Sequence, residues 1–367
     1  MRRRRLLAAV GTATLGALAG CGYAPAGGEV RRTETLDPGD VAPRSSGTLF
    51  AVDDDHIVGV ANGHHRVFGG DGFTFIHGAD LTVVGRDGSD GWGYIHPSDA
   101  RSLALGEGVY LLDEASRVVS VGPTEVEGGE TPETEVDERW RLRVAGAESS
   151  LAAAGRTAYV ATAGGVVAAR DGETAWRRSF PEGADAFRAF DGGLLVRTGE
   201  SLVALDGDGE RRWRRSVAPG AAVAVEASHA VVAGENVVGI APDGTVAWDL
   251  EPEGEVRRLV GTDGRAAVVG SRGTRAVAAD DGAELWAGGA TVRPDAAVVG
   301  PEALYYVLGR AVGATDGDGR RWRRGLPDDQ AGCCPAVGWL DGETVAFLLR
   351  SGDIVWFQRE TKDRGLL

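Results

Sequence analysis

Across most of the chain, short apolar runs alternate with brief polar breaks. One stretch shows the unit clearly. Residues 187–190, 193–197, Ser201–Leu205 and 211–215 are four runs of four or five residues, separated by turns made of Gly, Asp, Glu and Thr. Runs this short, with alternating and β-branched content, predict strands rather than helices. No segment sustains a helical period of 3.6. Asp-Gly at the third turn favours positive φ and a tight hairpin.

The tryptophans set the repeat length. Seven of the nine fall at Trp92, Trp140, Trp176, Trp213, Trp248, Trp286 and Trp322, with gaps of 48, 36, 37, 35, 38 and 36 residues. Five of the seven lie five residues after the Asp of an Asp-Gly pair, at Asp87, Asp171, Asp208, Asp243 and Asp281. An insertion precedes Trp140, and Asp318-Gly319 stands four residues before Trp322. Four antiparallel strands in roughly 36 residues predict one blade of a β-propeller. A single blade cannot cover both faces of its own sheet, so blades must stack radially. Each Trp is then expected on an outer strand, docked on a turn of the neighbouring blade.

The segment Ala204-Leu205-Asp206-Gly207-Asp208-Gly209-Glu210-Arg211-Arg212-Trp213 resembles the repeat of quinoprotein (PQQ-like) propellers, an Ala-x-Asp-x-x-x-Gly-x-x-x-Trp pattern or a close spacing variant. Shortened copies stand at Ala278, Asp280, Gly282 and Trp286, and at Ala168, Asp171, Gly172 and Trp176, while Gly239 and Ala241 mark a degenerate copy before Trp248. The resemblance spans about residues 65–360. It implies an all-β, WD40-like architecture and says little about function, because the same repeat serves enzymes and scaffolds.

Seven Trp give seven blades, beginning near His65, Arg101, Ser149, Ala186, Ala221, Val256 and Pro294. A further partial unit at 336–340, 343–348 and 353–357 lacks a fourth strand. Open edges invite aggregation, so the missing strand is expected from the N-terminus: Thr48–Val52, residues 57–61 or Val30–Thr35. The expectation is eight blades closed by strands from both ends, with seven as the alternative. Eight is also the count of the outer-membrane assembly lipoprotein and of the quinoprotein alcohol dehydrogenases that the repeat resembles.

The N-terminus reads as an address. Arg2 to Arg5 precede an apolar run of 14 residues, Leu6 to Ala19, too short to cross a bilayer of about 30 Å. Paired arginines suit twin-arginine export. Leu18-Ala19-Gly20-Cys21 resembles a lipobox, which makes Cys21 the lipidated first residue of the mature chain. The expected division is a signal at 1–20, a tether at 21–45 and the propeller at 46–367. The expected location is the extracellular face of the cytoplasmic membrane, held by lipid alone.

Net charge is −15, and −19 once the four arginines of residues 1–20 are gone. Lys362 is the single lysine. An acidic, lysine-poor, arginine-rich surface is what an extreme halophile uses, and a halophilic source is expected: at molar salt the Debye length falls to about 3 Å and self-repulsion is screened. It argues against nucleic acid as a partner.

Several residues carry candidate chemistry. Cys333 and Cys334 are adjacent in the loop entering the last unit, and outside the cytoplasm they can oxidise. The resemblance implies a vicinal disulfide, as beside the cofactor of quinoprotein dehydrogenases. The alternatives are a rigid loop device or two free thiols. His56, His64, His65, His77 and His96 crowd one end of the chain. Neighbouring strand residues face opposite sides, so they are expected as solvated turn residues rather than a metal site. Residues 123–138 form an acidic insertion expected to be a hydrated loop. No haem, nucleophile-elbow, zinc or phosphate-loop motif is present. A quinone enzyme would also need PQQ and calcium, yet Asn62 and Asn236 are the only asparagines. The expected function is a non-catalytic, monomeric, surface-anchored propeller that binds an envelope or cell-surface protein. A PQQ-dependent dehydrogenase or a small-ligand sensor is the alternative.

Overall fold

The computed structural model describes residues 27–35, 48–53, 55–69, 72–86, 91–125, 134–184, 186–226, 228–289, 296–326, 335–349 and 353–359. Within them, 32 strands form eight four-stranded antiparallel sheets. The first strands are Thr48–Val52, Ala100–Leu105, Ala147–Ala154, Ala186–Phe190, Ala222–Glu226, Val256–Thr262 and Ala296–Val299, which open blades one to seven, and Pro335–Asp341, which opens the closing blade. Each first strand packs against the next, and Pro335–Asp341 packs back on Thr48–Val52, so the ring is closed and the first strands line its centre. The fold is an eight-bladed propeller.

Each interface between blades carries its own buried apolar cluster, eight clusters in all. This follows from the alternation along the middle strands. Val196 and Leu194 face blade three, while Leu195 and Leu202 face blade five. A residue shift of one would exchange those faces, which is why the register is firmly specified.

All seven periodic tryptophans lie on fourth, outermost strands. Opposite six of them stands a small residue of the third strand: Ser120, Ala168, Ala204, Gly239, Ala276 and Ala314 face Trp140, Trp176, Trp213, Trp248, Trp286 and Trp322. A β-bulge follows at once in each pair, twisting the outer strand. The small residue makes room for the indole. At Gly239 even a Cβ would stand 2.1 Å from Trp248 Nε1, which explains the degenerate copy of the repeat.

The indole then reaches the next blade. Trp176, Trp213 and Trp248 donate from Nε1 to the carbonyls of Gly207, Pro242 and Ala279 at 3.0, 2.9 and 2.9 Å. Under each ring sits a turn glycine with positive φ: Gly209, Gly244 and Gly282. A Cβ on any of them would meet the indole at 2.5 or 2.6 Å.

The closing blade takes Val30–Thr35 as its fourth strand, antiparallel to Asp353–Gln358. This strand falls inside the 21–45 stretch expected as tether. The other two closing candidates, Thr48–Val52 and residues 57–61, are instead the first strand and part of the second strand of blade one. Blade one therefore begins at Thr48 and not near His65, which lies within the second strand. The offset arises because the second and third strands, His56–Gly69 and Gly72–Gly85, are each 14 residues long and form a ribbon that obscures the unit's start. Arg359 ends the described chain with a bidentate pair to Glu302, at 2.9 and 2.8 Å, that ties the closing blade to blade seven.

Candidate functional site

Antiparallel topology sorts the connections onto two faces. Second-to-third strand turns and blade-to-blade crossovers share one face, here the upper. First-to-second and third-to-fourth turns share the lower.

On the upper face, blades one and two enclose a polar cluster built from strand ends. His96 ends the fourth strand of blade one and is fully buried. Its Nε2 lies 3.2 Å from Asp113 Oδ2, at the end of the second strand of blade two. Arg117 Nε donates to the same oxygen at 2.7 Å, and the Arg117 backbone N–H donates to Asp113 Oδ1 at 2.8 Å. Burial pushes the Asp113 carboxyl up, but the Arg117 and His96 hydrogen bonds outweigh it and hold it below its ordinary value. His77 Nε2 stands 3.5 Å from Asp99 Oδ2, in the crossover between the two blades. His96 Nδ1 and Asp99 Oδ1 are buried without hydrogen-bond partners.

This corrects the expectation of solvated turn histidines for His96. It ends its strand beneath the blade-one ribbon, where Gly78 approaches its carbonyl so closely that a Cβ would stand 1.9 Å away. His56 keeps the expected exposure, beside Asp53 at 3.4 Å. His64 and His65 pair in register with His77 and Ile76. Among the described residues no three His, Cys, Asp or Glu converge to hold a metal. His96 belongs to blade one and Asp113 and Arg117 to blade two, so the cluster joins the two blades.

The lower face holds a different group. Glu226 ends the first strand of blade five at the inner rim and accepts a hydrogen bond from the Gly264 N–H at 3.2 Å. Gly261 leaves room for it, since a Cβ there would fall 2.1 Å from Glu226 Oε1. Burial, reinforced by Asp263, pushes this carboxyl up to about 7 against the opposing Gly264 N–H and Arg265. Sequence reasoning passed over Glu226; the readable signal was an acid ending an otherwise apolar first strand.

The acidic insertion is only partly a loop. Its flanks pair as strand, Pro123 with Val136 and Glu125 with Thr134, extending the blade-two hairpin below the ring. Cys21, Cys333 and Cys334 lie outside the described residues. The asparagines do not suit a calcium–quinone site. Asn62 is spent on both the N–H and the carbonyl of Ala100, at 2.8 Å each, and Asn236 is exposed in a turn of blade five.

Comparison with known proteins agrees with this architecture. Residues 134–241 match the PQQ-repeat family model described as outer membrane protein assembly factor BamB. The matched part runs from the fourth strand of blade two into blade five, and its repeats are of the PQQ-like type. BamB from Moraxella catarrhalis superposes with a TM-score of 0.57 at 13% identity, covering 90% of this chain and 99% of that one. The computationally designed Ika8 protein gives 0.55 at 13% identity, over 84% and 95% of the two chains. Chaetomium thermophilum Sqt1, solved bound to the N-terminus of ribosomal protein L10, gives 0.53 at 12% identity, over 82% and 93%. At these identities the likeness is one of fold. No curated protein matches the chain.

Proposed function

We propose that this protein is a non-catalytic, lipid-anchored propeller that binds an envelope or cell-surface protein and serves as a scaffold module. The observation that carries the reading is the match of residues 134–241 to the family described as an outer membrane assembly factor. The solved complex of Sqt1 supports the general point that such a propeller can hold a segment of another protein. The contact of His96 with Asp113 supports it too, since this buried polar pair on the upper face joins two blades.

In this reading Cys21 carries the lipid at the outer side of the cytoplasmic membrane, and Cys333 and Cys334 stiffen the crossover into the closing blade. The test is affinity capture from envelope membranes after crosslinking in the cell, beside the Cys21→Ala variant. The expected result is a stoichiometric envelope protein with the wild type, and release of the variant into the medium. Recovery of the protein alone, together with dye-linked alcohol oxidation on adding PQQ and calcium, would overturn the reading.

A further inference from the structure

At the interface of blades two and three the neighbouring turn offers the indole N–H no acceptor; at the ring's closure Trp322 Nε1 is likewise buried without one among the described residues. Blade three closes its third turn with only Asp171 and Gly172, whose φ values of 50° and 82° make a two-residue hairpin. The corresponding turns of blades four, five and six are longer, and it is their extra residues, Gly207, Pro242 and Ala279, that accept from Trp176, Trp213 and Trp248. Blade three has no such residue to offer Trp140. Blade seven also has a short turn, Asp316 to Gly319, but there Trp286 donates instead to the Gly300 carbonyl at 3.3 Å. The matching carbonyl of blade three, Gly155, is already taken by Tyr110 Oη at 3.2 Å and by the Glu107 N–H at 2.9 Å. Among the described residues the Trp140 indole N–H is left without an acceptor.

The missing turn residues leave a cleft of about 260 Å³ on the lower outer rim. Tyr110 and Trp140, with ring centroids 5.8 Å apart, form its apolar wall. Arg139 and Arg156 line it together with the acids Glu107 and Asp171, and Ser120 adds a hydroxyl; Arg139 also donates to the carbonyls of Pro123 and Glu107 at 3.1 and 3.5 Å. Arg156 pairs with Asp171 at 2.7 Å, yet both side chains are more than half exposed, a pair that a competing carboxylate can open at small cost.

We propose that this cleft is a docking site for an acidic, glycine-containing tight turn of a partner protein. The occupant is argued from the neighbouring interfaces. In blades four and five the same place under the indole is filled by Asp206 to Glu210 and by Ala241 to Thr245, each offering a backbone carbonyl to the indole and a glycine to the ring face. A partner's turn would complete the pattern in trans, its carbonyl accepting from Trp140 and its carboxylates meeting Arg139 and Arg156. The inference rests on the scaffold reading above and gives that reading a place on the molecule.

The test follows the indole N–H signals of the ¹⁵N-labelled full-length protein by NMR, with Trp140 assigned through Trp140→Phe. The probe is the chain's own blade-four turn as the capped peptide ALDGDGER. The Trp140 N–H is expected to exchange with solvent far faster than those of Trp176, Trp213 and Trp248, and to move on titration with the peptide. Arg156→Ala and Arg139→Ala are each expected to weaken binding about tenfold, the loss of one charge-assisted hydrogen bond. The peptide ALNGNGER and sodium acetate are expected to leave the signal in place. A Trp140 N–H already protected in the free protein, an unmoved signal, or an equal response to acetate would overturn the proposal. Arg156 is exposed at the rim, so its variant keeps the test meaningful if Arg139→Ala does not fold. Undiminished capture of an envelope partner by Arg156→Ala and Arg139→Ala would overturn this site while leaving the scaffold reading intact.

Discussion

Gly28 lies under the indole of Trp322 as Gly209 lies under that of Trp176. Its φ is 73°, and a Cβ there would stand 2.6 Å from the Trp322 ring and 3.0 Å from Arg324 Cγ. The spacing matches as well: Gly28 precedes the strand at Val30 by two residues, as Gly209 precedes the strand at Arg211. The N-terminal segment thus supplies the glycine under the ring as well as the last strand, while Trp322 Nε1, unlike that of Trp176, is buried without an acceptor among the described residues.

Gly28→Ala should therefore cost more than a left-handed alanine alone. Gly192 is the control, with the same φ of 73° and nothing within 4 Å of a Cβ. Gly192→Ala is expected to lose about 1 kcal/mol, the backbone penalty, and Gly28→Ala about 2–4 kcal/mol, because the ring must also shift. Thermal denaturation of the two variants side by side checks this.

Glu226 predicts a pH effect of definite sign. Its carboxyl is raised to about 7 in the fold from 4.5, so the folded protein holds a proton that the unfolded chain releases. Its contribution is complete below about pH 4.5 and is lost as pH rises through 7. Glu226→Gln should flatten that slope and raise stability at pH 8 by up to about 3 kcal/mol. Denaturant midpoints at pH 5 and pH 8 measure it, and equal slopes for wild type and variant would refute it.

Asp113 has the opposite sign. Its carboxyl is held below the ordinary value by Arg117 and His96, so its contribution is present above pH 3.8 and fades as pH falls through the folded value. Asp113→Ala leaves Arg117 and buried His96 without their partner and should cost about 3–5 kcal/mol at neutral pH. The loss should shrink in acid, as equilibrium unfolding at pH 7 and pH 3 would show.

Much of the fold was legible because its signals are local. The indole period, the Asp-Gly turns and the Ala of the repeat are short-range features, and they point to eight blades closed from both ends. The choice among three closing strands was not settled, because five-residue apolar runs look alike; the missing cue was Gly28 two residues before Val30. His96 was misread because its burial depends on the ribbon over it and on Asp113 from the next blade, contacts that spacing does not encode. The cleft at Trp140 was hidden for a related reason. It exists because the third turn of a different blade is short, and only alignment of blade on blade in space reveals it.

The acidic surface predicts a salt requirement. With molar salt the Debye length is about 3 Å and the repulsion among surplus carboxylates is screened. The melting temperature should rise steadily from millimolar to molar potassium chloride, and an unchanged circular dichroism melt across that range would contradict the halophilic reading.

Closure of the ring by the N-terminal strand is the claim on which the rest turns, and one crosslink tests it directly. Thr33 pairs in register with Val355 across the closing blade. In a background with Cys21, Cys333 and Cys334 replaced by serine, Thr33→Cys with Val355→Cys should oxidise to an intramolecular disulfide that speeds gel migration and raises the melting temperature. Two free thiols under the same oxidant, or crosslinks only between separate chains, would contradict it.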